Sequence, residues 1–83
     1  MKILELRTHC LITASTLLCR GAIFVGIGDI NREQKEFIFK KEDWIDEELP
    51  KIRSGESPVN PVIYEGNRKF LLREILEHKK RNH

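Results

Sequence analysis

The chain has 83 residues, 40% of them hydrophobic and 34% charged, which suits one globular domain with a modest core and excludes a disordered polymer. A domain of this size buries only about 60–65% of the surface its unfolded chain exposes, so a protein partner or a second copy in a homodimer would widen a thin stability margin. A net charge of +2 weighs against a uniformly basic nucleic-acid surface, and no segment reaches the roughly 18 apolar residues of a membrane span.

The first element expected is a strand over residues 2–7, "KILELR". "HCLITASTLLCRGA" superficially resembles a signal peptide's apolar region, but Glu5 stands where basic residues belong and Leu18 occupies the small-residue position before Cys19. A cytoplasmic protein is the expectation. Residues 9–20 read as a helix, with a continued strand as the alternative. Cys10, Leu11, Ala14, Leu17 and Leu18 share one face, Thr8 is placed to cap the start and Gly21 to close the end. Against this, Thr13, Ser15 and Thr16 are weak helix formers. On such a helix the side chains of Cys10 and Cys19 point to opposite faces about 13 Å apart along the axis, too far for a mutual disulfide.

Residues 22–27 form an uninterrupted apolar run, the pattern of a strand buried on both faces, while residues 36–40 alternate with Phe37 and Phe39 on one side. The polar "GDINREQ" between them makes a β-hairpin, and Gly26 and Gly28 mark a bulge or a close backbone approach. "GIGDIN" begins like a dinucleotide fingerprint, but Asn31 replaces the third glycine and a strand follows instead of a helix.

"KEDWIDEELPKIRSG" reads as a short helix capped by Asp43, with Ile45, Leu49 and Ile52 on one face and Pro50 kinking or ending it. Residues 53–61 make a loop with room to flex. "VIYE" then looks like an edge strand, and a final helix runs from Asn67 to about Lys80. Its stripe of Leu71, Leu72, Ile75 and Leu76 is about 140° wide, and Phe70 lies on the opposite side. Residues 79–83 form a basic tail. The fold expected is a single α+β domain over 1–83, in which a central β-hairpin sits in a short mixed or antiparallel sheet packed against a C-terminal amphipathic helix.

No catalytic set emerges. His9, His78 and His83 form no metal-binding or nucleophile–base spacing, and the acids Asp43, Asp46, Glu47 and Glu48 suit a helix start. Neither a metal nor a cofactor is assigned. The charge is segregated: residues 41–65 carry three basic residues against seven acids, and residues 66–83 carry six against two. That layout suits both a steering field and two helices that simply obey their dipoles.

Two candidate surfaces follow. The first is a protein-binding patch of Glu42, Asp43, Trp44, Asp46, Glu47 and Phe70, although Trp44 also has a use in the core. The second is an anion grip at the start of the last helix, made by Gly66, Asn67, Arg68 and Lys69 with Arg73 one turn on. "VIYEGNRKFLLREIL" resembles the strand–GxxR–helix element of ParB-like and sulfiredoxin-like proteins over 15 of the 83 residues. The resemblance implies a phosphate at Gly66–Lys69; Glu65 would repel one, and the long upstream portion of those families has no counterpart here. The leading expectation is a non-catalytic protein-binding module, a regulator or inhibitor of a larger assembly. Nucleic-acid or phosphate binding through the basic C-terminal helix is the alternative.

Overall fold

The computed structural model describes residues 4–81. Lys2 and Ile3 of the expected first strand, and Asn82 and His83 of the basic tail, lie outside the described residues. The elements are β1 (Glu5–Thr8), α1 (Leu11–Cys19), β2 (Phe24–Asp29), β3 (Lys35–Lys40), α2 (Asp43–Arg53) and α3 (Pro61–Arg81). The sheet is antiparallel throughout, in the order β1-β3-β2. Helices cover one face of it, and the molecule measures 39 × 35 × 18 Å. The α+β architecture with the C-terminal helix packed on the sheet is the one expected.

The β2–β3 hairpin follows its sequence pattern. Phe37 and Phe39 are buried beneath the helices, with Phe24 paired to Phe39 and Ile27 to Phe37 on the same face. The register slips between Phe24 and Gly26, so the expected bulge is present. The close approach is at Gly28, where an added Cβ would lie 3.1 Å from Ile38 Cδ1 and 3.2 Å from Glu36 Oε1. In the connection, the Asn31 carboxamide oxygen accepts from the backbone N–H groups of Glu33 and Gln34 at 2.9 and 2.8 Å, and Asp29 pairs with Lys35 across the strand ends. One expectation fails: β2 is not buried on both faces. Val25 is 56% exposed, and Ile23 just before the strand 50%.

Residues 11–19 are helical, which decides between the two readings of that segment. The cap differs from expectation. Cys10 is the N-cap, while Thr8 accepts from the Cys10 N–H at 3.2 Å in the turn before it. Gly21 closes the helix in the left-handed region at φ 92°, with Gly21 N–H donating to Leu18 O and Ala22 N–H to Leu17 O. The expected one-sided face is corrected too. Thr13, Ala14, Ser15, Thr16 and Leu17 are all buried while Cys10 is exposed, because α1 packs against α3 on one side and against α2 and β1 on others. Small hydroxyl residues are what a helix enclosed in this way can accommodate.

α2 buries Ile45 and Ile52 and leans Leu49 on the core, as its spacing predicts. Glu42 is its N-cap in place of Asp43, without a side-chain capping bond. Pro50 neither ends nor breaks it. The hydrogen bond it removes would have reached the carbonyl of Asp46, an exposed residue that water can serve. Gly55, at φ 78°, ends α2 with the same pair of backbone bonds that Gly21 makes. The following loop is pinned. Arg20 donates from Nε and Nη2 to Ser57 Oγ at 3.0 and 2.8 Å and from Nη2 to the Pro58 carbonyl, and Ser57 donates to Glu48 Oε2 at 3.3 Å.

The largest correction concerns α3, which begins at Pro61. Asn60 is its cap: the Oδ1 atom accepts from Val62 N–H at 2.9 Å and Ile63 N–H at 3.3 Å, with proline in the first helical position. "VIYE" is therefore helix and not an edge strand, Asn67 is not a cap, and Gly66 lies inside the helix with nothing within 4 Å of an added Cβ. A pair of substitutions checks this placement. Asn60→Ala is expected to lower stability by about 1 kcal/mol through loss of the cap, and Gly66→Ala to raise it by about 1 kcal/mol through helix propensity, both read from urea titrations. A helix starting at Asn67 would give the opposite outcome, with Gly66→Ala harmful and Asn60→Ala silent.

Candidate functional site

The docking of α3 decides what its surface offers. Leu71 is fully buried and Ile75 packs against the core, but the other half of the predicted stripe is turned outward: Leu72 is 39% exposed and Leu76 58%. The helix serves two neighbours at once. Its Ile75 side meets α1, and its Phe70 side meets the sheet, where the Phe70 ring stands edge-on to Phe24 at 5.5 Å between centroids. Phe24 in turn stands edge-on to Phe39 at 5.6 Å. Phe70 stays 42% exposed beside its contact with Phe24, so Phe70, Leu72 and Leu76 all present surface to solvent.

Beside the outward leucines, α1, α3 and the hairpin enclose a cleft of about 320 Å3. Its floor is apolar, made by Leu11, Phe37, Leu72 and Ile75. Lys35, Lys79 and Glu33 stand on its walls with His9, and Lys35 is already paired with Asp29. Further along the exposed side of α3, Lys69, Arg73 and Lys80 flank the two leucines at helical spacings of three and four residues.

The acidic segment lies elsewhere, on α2. Asp43, Asp46 and Glu47 face solvent, Asp46 pairs with Lys41 at 3.7 Å, and Glu42 is half-buried. Trp44 is half-buried and packs against the core, so this tryptophan contributes to the domain's own interior. Phe70 is carried by a different helix, α3.

The anion grip loses its geometric basis. Gly66, Asn67, Arg68 and Lys69 sit more than a turn inside α3, where their backbone N–H groups belong to the helix ladder. Asn67 donates to Cys19 Sγ at 3.3 Å, and Arg68 pairs with Glu65 at 3.1 Å. With no strand before Gly66, the strand–GxxR–helix likeness ends as well. Arg73 and Lys69 remain exposed cations on the helix surface.

Two polar clusters complete the picture. His78 Nε2 lies 3.1 Å from Asp29 Oδ1, and Lys35 first, then His78, hold the Asp29 carboxyl below the usual carboxylate range. His78 also lines a second cleft, of about 350 Å3, between β2 and the Glu74 and Arg81 side of α3. Cys10 is exposed at the start of α1, and hydrogen bonds from the Thr13 side chain and backbone lower its thiol pKa. Among the described residues, no group of three or more His, Cys, Asp and Glu side chains is placed to hold a metal ion. Nor is any helix there long and apolar enough to cross a membrane.

The outward leucines and the cleft are what sequence reasoning missed. Periodicity assigned Leu72 and Leu76 to the core, and the one available signal was Phe70, an aromatic residue on the side that ought to have been polar. No family model matches the chain, and comparison with curated proteins and with solved structures finds no match.

Proposed function

We propose that this domain is a non-catalytic protein-binding module that docks through the exposed side of α3 and the cleft beside it, acting as a regulator or inhibitor of a larger assembly. The observation that carries the reading is the exposure of Leu72 and Leu76 on α3, with Leu72 also lining the apolar floor of the cleft. Apolar side chains ringed by charged ones mark protein contact sites, where the centre gives affinity and the rim gives orientation. Trp44 packs against the domain's own core, Phe70 touches Phe24 while remaining 42% exposed, and the acidic α2 face remains a separate surface for a second contact or for solubility.

Affinity capture of the tagged protein from its native lysate, with and without nuclease, tests the proposal. The expected result is a stoichiometric protein that survives nuclease treatment and is lost from a Leu76→Glu variant. A second reading, nucleic-acid binding, is favoured by the exposed Lys69, Arg73, Lys79, Lys80 and Arg81 on one helix. It requires recovery of nucleic acid alone and an affinity that falls steeply with salt.

A further inference from the structure

Resting on the protein-binding reading, we infer that the occupant of the α1–α3 cleft is an acidic amphipathic segment of the partner. In this arrangement an apolar anchor sits on Leu11, Phe37 and Ile75, while Asp or Glu side chains face Lys69, Arg73 and Lys79. Three observations select this chemistry. The cleft is concave and floored by apolar side chains, with a volume near 320 Å3 that suits one aromatic or a pair of branched apolar side chains. Leu72 and Leu76 have Lys69, Arg73 and Lys79 as helix-surface neighbours, while Lys80 is paired with Glu77 at 3.9 Å and Glu65 with Arg68 at 3.1 Å. Finally, α3 is a single 21-residue helix, a rigid platform along which another amphipathic segment reads anchors at i, i+3 and i+4.

Other occupants fit less well. A phosphate backbone would use the cations and leave the leucines and the cleft floor unused. An anionic lipid surface calls for a broad, convex apolar face, and two leucines beside a concavity do not provide one. A basic partner would meet like charge at Lys69, Arg73 and Lys79.

Selection of a displayed library of short random peptides against the full immobilised chain tests the inference. Selected peptides are then synthesised and their affinities measured by fluorescence anisotropy at two salt concentrations. The expected consensus carries apolar residues at helical spacing with Asp or Glu beside them. Its affinity should drop about 30-fold or more with Leu72→Asp, the scale of an interface hot spot, and should weaken with added salt and with Lys79→Glu. Leu72 is exposed, so its Asp variant should keep the parent's melting temperature, and the Lys79→Glu result stands independently if it does not.

A basic or uncharged consensus that still depends on Leu72 would overturn the acidic partner and leave the docking surface intact. Acidic peptides indifferent to both Leu72→Asp and Lys79→Glu would overturn the cleft while leaving a protein-binding module. An empty selection, together with salt-sensitive binding of a nucleic-acid duplex or of anionic vesicles, would overturn this inference and the protein-binding reading together.

Discussion

Phe39→Ala is expected to bring the domain to the edge of unfolding, at a cost of about 3–5 kcal/mol. Phe39 has no exposed surface and is the largest of the fully buried side chains. It lies on the central strand, opposite Leu6 of β1 and Phe24 of β2, and it anchors the aromatic series that continues to Phe70 on α3. Truncation removes the burial free energy of the ring and leaves a void that two strands and a helix cannot all close. A domain of this length has a total stability of only about 4–12 kcal/mol, so the loss is a large share or all of it. Urea denaturation followed by far-ultraviolet circular dichroism reads the effect directly. A loss below about 1 kcal/mol would show that Phe39 is not the centre of the core, and Phe39→Leu, which retains most of the volume, should cost far less.

Ser15→Ala should act in the opposite direction. The Ser15 hydroxyl is buried within α1 with no hydrogen-bond partner, unlike Thr16, whose hydroxyl donates to the Ile12 carbonyl at 2.8 Å. An unsatisfied buried hydroxyl costs about 1–3 kcal/mol, and alanine is also the better helix former. The substitution is expected to stabilise the protein by about 1–3 kcal/mol, raising the melting temperature by about 4–8 °C for each kcal/mol. Calorimetry on the two proteins decides the matter. An unchanged or lower melting temperature would mean that the hydroxyl has a partner after all, and Thr16→Val, which removes a satisfied group, is the matched control with the opposite expected sign.

The hairpin was legible from residues 22–40 because both of its signals are local: strict alternation at Phe37 and Phe39, and a polar turn between apolar arms. The bulge was legible for the same reason, since glycines inside a strand have few other uses. The start of α3 was misread because Asn60-Pro61 serves equally as loop punctuation and as a cap followed by the first helical residue. Val62 and Ile63 then suggested a strand, and Gly66 suggested a break that the helix tolerates at a cost of about 1 kcal/mol. The site was the least legible part. That Leu71 is buried while Leu72 and Leu76 stay exposed depends on how α3 is shared between α1 and β2, a tertiary choice that periodicity along one helix does not contain. The anion grip failed with the helix boundary on which it was built.

The strand order has a consequence for how the chain reaches this structure. Partners within the β2–β3 hairpin are between 6 and 15 residues apart, whereas those joining β1 to β3 are between 29 and 35 apart. Closing the longer loop costs entropy before any contact repays it. The hairpin is therefore expected to form first, with β1 docking afterwards onto its edge. Substitutions that weaken the hairpin are then expected to slow folding, and those that weaken β1 chiefly to hasten unfolding. The far edge of β3 thus stays open for a time to any extended segment of suitable pattern, including β1 from a neighbouring molecule, which makes exchange of that first strand the misassembly to which this topology is most exposed at high concentration.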